Sequence, residues 1–259
     1  MYGETFARPI HHVFTNDEKS RQTDFQFFLG SSIMIAPFLN PNQSYLSVYL
    51  PDSEPNWYKL KDNFVEKIDI VSNYYRIEDF ESSRPLFIRG GSILPVISIS
   101  DLPEPLNILT QRKAPISLWI LPNFEGSASG EMFFDDGEGI NNIQQSQYDI
   151  LDFSLKKCQI TIAYKNTFKD DKVAPQWIIK NIYIALDSHM LSDIGQDNLG
   201  SEITPKAPNS PKISLNISAK NFIHIHFEEV LTRKFKLPIQ IKLFDKTNNV
   251  NCFLDTFLN

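Results

Sequence analysis

Cysteine is nearly absent from this chain: Cys158 and Cys252 are its only two in 259 residues. That is too few for a disulfide framework and too isolated for a metal knuckle, and the pair says little about compartment. Glycine is also scarce, at 10 residues, and Gly137-Glu138-Gly139 supplies only a fragment of a dinucleotide fingerprint. Without a Walker pattern or a complete glycine-rich motif, phosphate cradles are excluded and no cofactor is implied. A charge excess of one sign is missing as well. The net charge is −6 with both signs spread along the chain, which leaves no basic stripe for phosphates and argues against nucleic acid as a partner. No apolar run approaches the ~20 residues needed for a membrane span, and the N-terminus lacks the layout of a signal peptide. The opening Met1-Tyr2-Gly3-Glu4-Thr5-Phe6-Ala7-Arg8-Pro9 reads as the inside of a domain, which places any targeting segment upstream.

What is present is apolar, aromatic and alternating. Hydrophobic residues make up 42% of the chain, with 20 Phe and 9 Tyr, enough to bury large cores and exclude global disorder. The length suits two packed units. Apolar residues mostly alternate, or come in short runs bounded by Pro, Gly, Asn and Asp, which is the pattern of all-β sandwiches. One helix is expected over Asn16 to Leu29, with Phe25, Phe28 and Leu29 on one face and Gly30 at its end. Strands are expected at Thr5 to Ile10, Ser32 to Pro37, Tyr45 to Leu50, Lys67 to Val71, Leu86 to Arg89 and Ser92 to Ile97, with Gly90-Gly91 marking a bulge or bend. Ser100 to Pro115, carrying three prolines, is the expected linker. Beyond it, strands are expected at Ile116 to Leu121, Gly130 to Phe134, Phe153 to Leu155, Gln159 to Tyr164, Trp177 to Leu186, Ile213 to Ile217, Phe222 to Phe227 and Ile239 to Phe244. Ser188 to Lys212 is polar and is expected to be a surface loop.

Several residues invite a chemical reading. Asp136 and Glu138 stand two apart, a separation that by distance alone suits a pair of catalytic carboxylates. Both would project from one side of the chain, however, and Asp-Gly is a hairpin signal, so a turn is the better account. Glu228-Glu229 would point to opposite faces of a strand. His224 and His226 share a strand face at a spacing that serves zinc if a third ligand arrives; with Ile223, Ile225 and Phe227 on the other face they more simply form the solvated side, and no metal is assigned. His11 and His12 follow a buried strand, where loop residues often reach a site, and are active-site candidates. Trp57, Trp119 and Trp177 sit in apolar contexts that favour core packing over sugar stacking. Ala128 occupies the place a nucleophile elbow needs for serine. Asn42 and Asn216 head N-x-S glycosylation patterns, which matter in a secretory compartment.

Thr5-Phe6-Ala7-Arg8-Pro9-Ile10, Asp24-Phe25-Gln26-Phe27-Phe28-Leu29-Gly30, Ile35-Ala36-Pro37, Trp57-Tyr58, Leu86 to Pro95 and Gly130-Glu131-Met132-Phe133-Phe134-Asp135-Asp136-Gly137-Glu138 occur in one order. In that order they resemble the C-terminal portion of glycoside hydrolase family 31, over about residues 3 to 140. Gln111-Arg112-Lys113-Ala114-Pro115 is similar to a Ser-Arg-Lys-Asn-Pro stretch of the family's maltases. The resemblance implies two consecutive antiparallel β-sandwich domains, preceded by the last strand and a short helix of a missing (β/α)8 barrel. Residues 1–30 would be the barrel remnant, 31–113 the proximal sandwich and 114–259 the distal one. It also implies a parent α-glucosidase of the secretory pathway that releases terminal α-linked glucose with retention. The family's nucleophile and acid/base segments have no counterpart here, so the resemblance assigns no catalytic residue to this chain. The expected partners are the parent's catalytic barrel and, through it, α-glucosidic oligosaccharides. The alternatives are a carbohydrate-binding module, which needs an exposed aromatic platform, and a structural or partner-binding fragment.

Overall fold

The computed structural model describes residues 5–40, 43–51, 56–61, 64–78, 84–98, 101–102, 107–168, 176–185, 199–204, 211–218, 222–232 and 237–245. Two compact units divide the chain, Met1–Ser92 and Ile93–Asn259.

The first unit runs β1 (Ala7–Pro9), α1 (Ile10–Val13), α2 (Glu18–Gln22), β2 (Phe27–Leu29), β3 (Ile33–Ile35), β4 (Leu46–Tyr49), β5 (Trp57–Lys61), β6 (Phe64–Ile68), β7 (Tyr74–Ile77) and β8 (Leu86–Arg89). Six strands form one sheet in the order β1-β2-β3-β8-β5-β6, and β4 pairs with β7 in a separate ribbon. The helix expected over Asn16 to Leu29 is shorter than its pattern. Asp17 caps it by accepting from the Lys19 N–H, it ends at Gln22, and Phe27-Phe28-Leu29 is a strand. The cause is the period: Phe28 is buried between two half-exposed neighbours, and bulky aromatics suit a pleated surface. In that strand Phe28 lies between Arg8 of β1 and Met34 of β3. Residues 5–30 therefore share a unit with residues 31–92. Its core gathers Phe14, Phe28 and Trp57, whose rings lie 5.9–6.3 Å apart in tilted contact.

The boundary between units differs from the expected 113/114. Leu86–Arg89 lies in the first unit's sheet, whereas β9 (Ser92–Ile97) lies in the second sheet. Gly90-Gly91 joins them, with Gly91 at φ 85°, a conformation that side chains resist. A strand that turns on two glycines passes from one sheet to the next without a linker. The proline-bearing stretch instead sits within the second unit, between β9 and β10 (Ile116–Leu121). Part of it is α3 (Ile108–Gln111), started by an Asn107–Thr110 capping box.

The remaining elements are β11 (Ala128–Asp135), α4 (Asn142–Gln145), β12 (Tyr148–Lys156), β13 (Gln159–Asn166), β14 (Ile178–Ala185), β15 (Leu199–Thr204), β16 (Ile213–Ser218), β17 (Phe222–Thr232) and β18 (Ile239–Asp245). Ten strands run β15-β18-β13-β12-β11-β9-β10-β14-β17-β16. The two ends, β15 and β16, come into contact, so the sheet folds back over its own core. β10 and β14 run parallel, a departure from the all-antiparallel expectation. β15 replaces part of the loop expected over Ser188 to Lys212, and it pairs with β18 along its whole length. Strict alternation along β12 sends Leu151, Phe153 and Leu155 into the core.

Gly130 shows how tightly this sheet is built. A Cβ there would lie 2.0 Å from the Ile93 carbonyl oxygen on the neighbouring β9. Backbone cannot swing aside as a flexible side chain can, so Gly130→Ala is expected to lower stability by roughly 1–3 kcal/mol, the usual range for overpacking. Denaturant unfolding checks this, and an unchanged midpoint would show that the two strands separate freely.

Candidate functional site

The region that carries most of the family-like motifs is organised around one buried amide. Gln26, 2% exposed, donates from Nε2 to the Tyr49 carbonyl and accepts at Oε1 from the Tyr49 N–H, each at 2.8 Å. Its side chain thus completes the backbone pairing of β4 as another strand would. Tyr49 continues the chain of contacts by donating its hydroxyl to Asp17 Oδ2 at 2.9 Å, and the Ser20 hydroxyl donates to the same oxygen. Burial pushes the Asp17 carboxyl up, but the Ser20 and Tyr49 hydroxyls and the Lys19 and Ser20 amides outweigh it and hold its pKa below the ordinary value. Burial raises the Tyr49 phenol, and the hydrogen bond to Asp17 raises it further. The resulting latch ties α2 and β2 to the β4–β7 ribbon.

His11 and His12 lie on α1, directly after β1. Their rings meet edge to face at 4.8 Å, His11 half-buried and His12 exposed.

Asp136 of the Asp-Asp-Gly-Glu stretch is engaged by its own turn. Asp136 Oδ1 accepts from the N–H groups of Glu138 and Gly139, each at 3.0 Å, and from Asn142 Nδ2 at 2.7 Å. The Gly139 and Glu138 amides, then the Asn142 amide, pull its pKa down to about 2. A carboxyl held ionised in this way cannot serve as a general acid near neutral pH. Asp135 binds Arg112, which donates from Nη2 to its carboxylate at 3.1 Å and also to its carbonyl. Arg112 therefore fastens the end of α3 to the end of β11.

On β17, His224 and His226 both donate to one oxygen, Asn181 Oδ1 of β14, at 3.0 and 2.9 Å. Because an amide oxygen only accepts, the protons sit on His224 Nε2 and His226 Nδ1. Asn181 Nδ2 donates in turn to Ser117 Oγ at 3.4 Å. The histidines face away from the core as expected, but they are half-buried rather than freely solvated. Burial, and then the neighbouring His226, lower the pKa of His224. With the folded value below the unfolded ~6.5, the unfolded chain binds the extra proton first. Stability from this site is complete above about pH 6.5 and is lost as the pH falls toward the folded value. Thermal melts of His224→Gln are thus expected to fall less steeply than the parent's between neutral and mildly acid pH; parallel curves would contradict this.

Two buried features escaped the sequence reading. Asp149, fully buried on β12, accepts from the Phe168 N–H at 2.9 Å and the Trp177 indole N–H at 3.2 Å. Cys158 is fully buried and disulfide-bonded. It lies in the two-residue turn between β12 and β13, where Lys157 and Cys158 both have positive φ. The other cysteine, Cys252, lies outside the described residues, as does the glycosylation candidate Asn42. The second candidate, Asn216, is exposed on β16. Trp57 and Trp177 are fully buried, as core packing requires, and Trp119 is half-buried on β10.

Residues 3–94 match the family described as "Glycosyl hydrolase family 31 C-terminal domain". This stretch, about a third of the chain, is similar to that C-terminal domain. The family 31 match contains the Gln26 latch, the Phe14–Phe28–Trp57 core and the Gly90-Gly91 crossing. Similarity to curated proteins extends further along the chain. Intestinal sucrase-isomaltase of Rattus norvegicus is 30% identical over 168 residues, 62% of this chain and 8% of that protein. A probable alpha/beta-glucosidase of Neosartorya fischeri is 27% identical over 170 residues, 65% of this chain and 18% of that protein. The chain thus spans less than a fifth of the length of either relative. Among solved structures, a glucosidase II alpha subunit superposes with a TM-score of 0.71 at 18% identity, covering 92% of this chain and 26% of that one. A family 31 dextranase of Flavobacterium johnsoniae gives 0.64 at 16% identity, covering 92% and 29%. Both superpositions show that the two β units share the fold of glycosidase β regions.

Proposed function

We propose that this chain is the β-sandwich region that follows the catalytic barrel of a family 31 α-glucosidase, and that it supplies scaffold rather than catalytic groups. The parent would release terminal α-linked glucose with retention, through a glycosyl-enzyme intermediate formed on carboxylates outside this chain. The observation that carries the reading is the match over residues 3–94, whose motif residues are spent on packing and latching. Gln26 pairs with backbone, Phe28 and Trp57 fill a core, and Gly90-Gly91 turns the chain between sheets. Of the acids nearest to a catalytic spacing, Asp136 is engaged structurally, its Oδ1 accepting from the Glu138 and Gly139 N–H groups and from Asn142 Nδ2.

Within the parent, β1 and α1 would continue from the barrel, and His11 and His12 would stand where the barrel meets the sandwich. The disulfide at Cys158 supports maturation in an oxidising compartment, in keeping with the secretory pathway. Incubation of the purified chain with a chromogenic α-glucoside tests the proposal directly. No turnover above the uncatalysed rate is expected; hydrolysis that survives Asp136→Asn with Glu138→Gln would show that catalytic groups lie in this chain after all.

A further inference from the structure

The outer face of the second sheet carries a row of residues whose register leads to a modification site. Asn216 on β16 is the partner of His224 on β17, His224 of Tyr183 on β14, and Tyr183 of Trp119 on β10. The residues flanking this row point inward and are buried, Ile223, Ile225, Ile182, Ile184, Leu118 and Ile120 among them. The row itself therefore faces out. Asn216 is exposed, and the three rings beside it are half-buried, with Tyr183 and His224 stacked at 4.5 Å and 16°.

Asn216-Ile217-Ser218 is an N-x-S acceptor. Its asparagine is exposed on the last strand in the sheet order. Cys158 supplies an independent observation, because a buried disulfide forms in the same oxidising compartment in which N-linked glycans are attached. Neighbouring strands stand ~4.8 Å apart, so the row extends about 14 Å from Asn216 to Trp119. That is the reach of a few linked sugar rings. The C–H faces of pyranose rings lie well on aromatic surfaces, which offer apolar area with polar edges.

We infer that Asn216 carries an N-linked glycan whose first sugars lie along the His224–Tyr183–Trp119 row. The glycan covers half-exposed rings on the sheet's outer face. The inference is independent of catalysis, so its outcome and that of the α-glucoside assay can be read separately.

The test uses the full chain produced through the secretory pathway of a eukaryotic host. Enzymatic release of N-glycans in heavy-oxygen water converts a glycosylated asparagine to labelled aspartate. The expected result is label at Asn216, lost in Ser218→Ala and kept in Ser218→Thr. Oxidative footprinting then compares the protein before and after glycan release, and Trp119 and Tyr183 are expected to react more slowly while the glycan is attached. Unlabelled Asn216 in secreted, folded protein would overturn the site. Equal footprinting with and without the glycan would overturn its seat on the aromatic row. Since Ser218→Thr leaves the acceptor intact, a folding defect in Ser218→Ala alone cannot imitate either result.

Discussion

Asp149→Ala is expected to cost roughly 2–6 kcal/mol of stability in the second unit, from two buried donors left without acceptors at ~1–3 kcal/mol each. The donors are the Phe168 N–H and the Trp177 indole N–H, which reach the carboxylate at 2.9 and 3.2 Å. Asp149 and Trp177 are both fully buried, so water cannot take the place of the lost oxygen atoms without opening the core. Asp149→Asn separates the contributions. It keeps one acceptor oxygen and nearly the same volume, so it should cost less than alanine while still stranding one donor. Urea unfolding followed by hydrogen exchange at β12 and β14 gives the measurement, since those strands bracket the site. A loss in the alanine variant below about 0.5 kcal/mol, the range of an ordinary surface substitution, would mean that the donors find other partners and that Asp149 is not the hub it looks to be.

The alternation along β12 contains Asp149 in phase with Leu151, Phe153 and Leu155. An acid at an inward position of a regular strand is a readable signal of a buried partner, yet nothing local names Trp177, 28 residues on. Asn181 was equally silent, because its two histidine partners come from another strand. Most strands were legible from period and turn residues, and the all-β class with them. Where the reading failed, tertiary pairing outweighed local pattern. Phe27-Phe28-Leu29 fits a helix face by spacing and becomes a strand because β1 and β3 lie ready on either side. Leu199 to Thr204 is too polar to look like a strand, and it forms one because β18 supplies its partners. The unit boundary was misplaced for a related reason. Prolines mark a break in local structure, whereas the true crossing needs only two glycines between consecutive strands.

Gln26→Leu is expected to destabilise the first unit by about 2–4 kcal/mol, because it strands both backbone groups of Tyr49, at ~1–3 kcal/mol each, against a modest gain in apolar burial. The reason for its severity is geometric. Tyr49 N–H and C=O both face Gln26 at 2.8 Å, and a side-chain amide offers an acceptor and a donor at that spacing whatever the pH. Gln26→Glu tests the donor specifically. An ionised glutamate still accepts from the Tyr49 N–H but turns a second oxygen toward the Tyr49 carbonyl, so its pKa in the folded chain should rise above the usual ~4.3. The folded state then holds the proton more tightly than the unfolded one, and stability relative to the parent should recover as the pH falls through that raised value, fully so below the unfolded ~4.3. Thermal melts of the parent and both variants across pH 4–8, read by the difference between curves, decide the matter. A Gln26→Glu deficit that stays constant with pH would mean that the Tyr49 carbonyl is satisfied elsewhere. If the deficit behaves as expected, the motif Asp24 to Gly30 owes its glutamine to the need to complete a strand edge in the segment that leads into the sandwich.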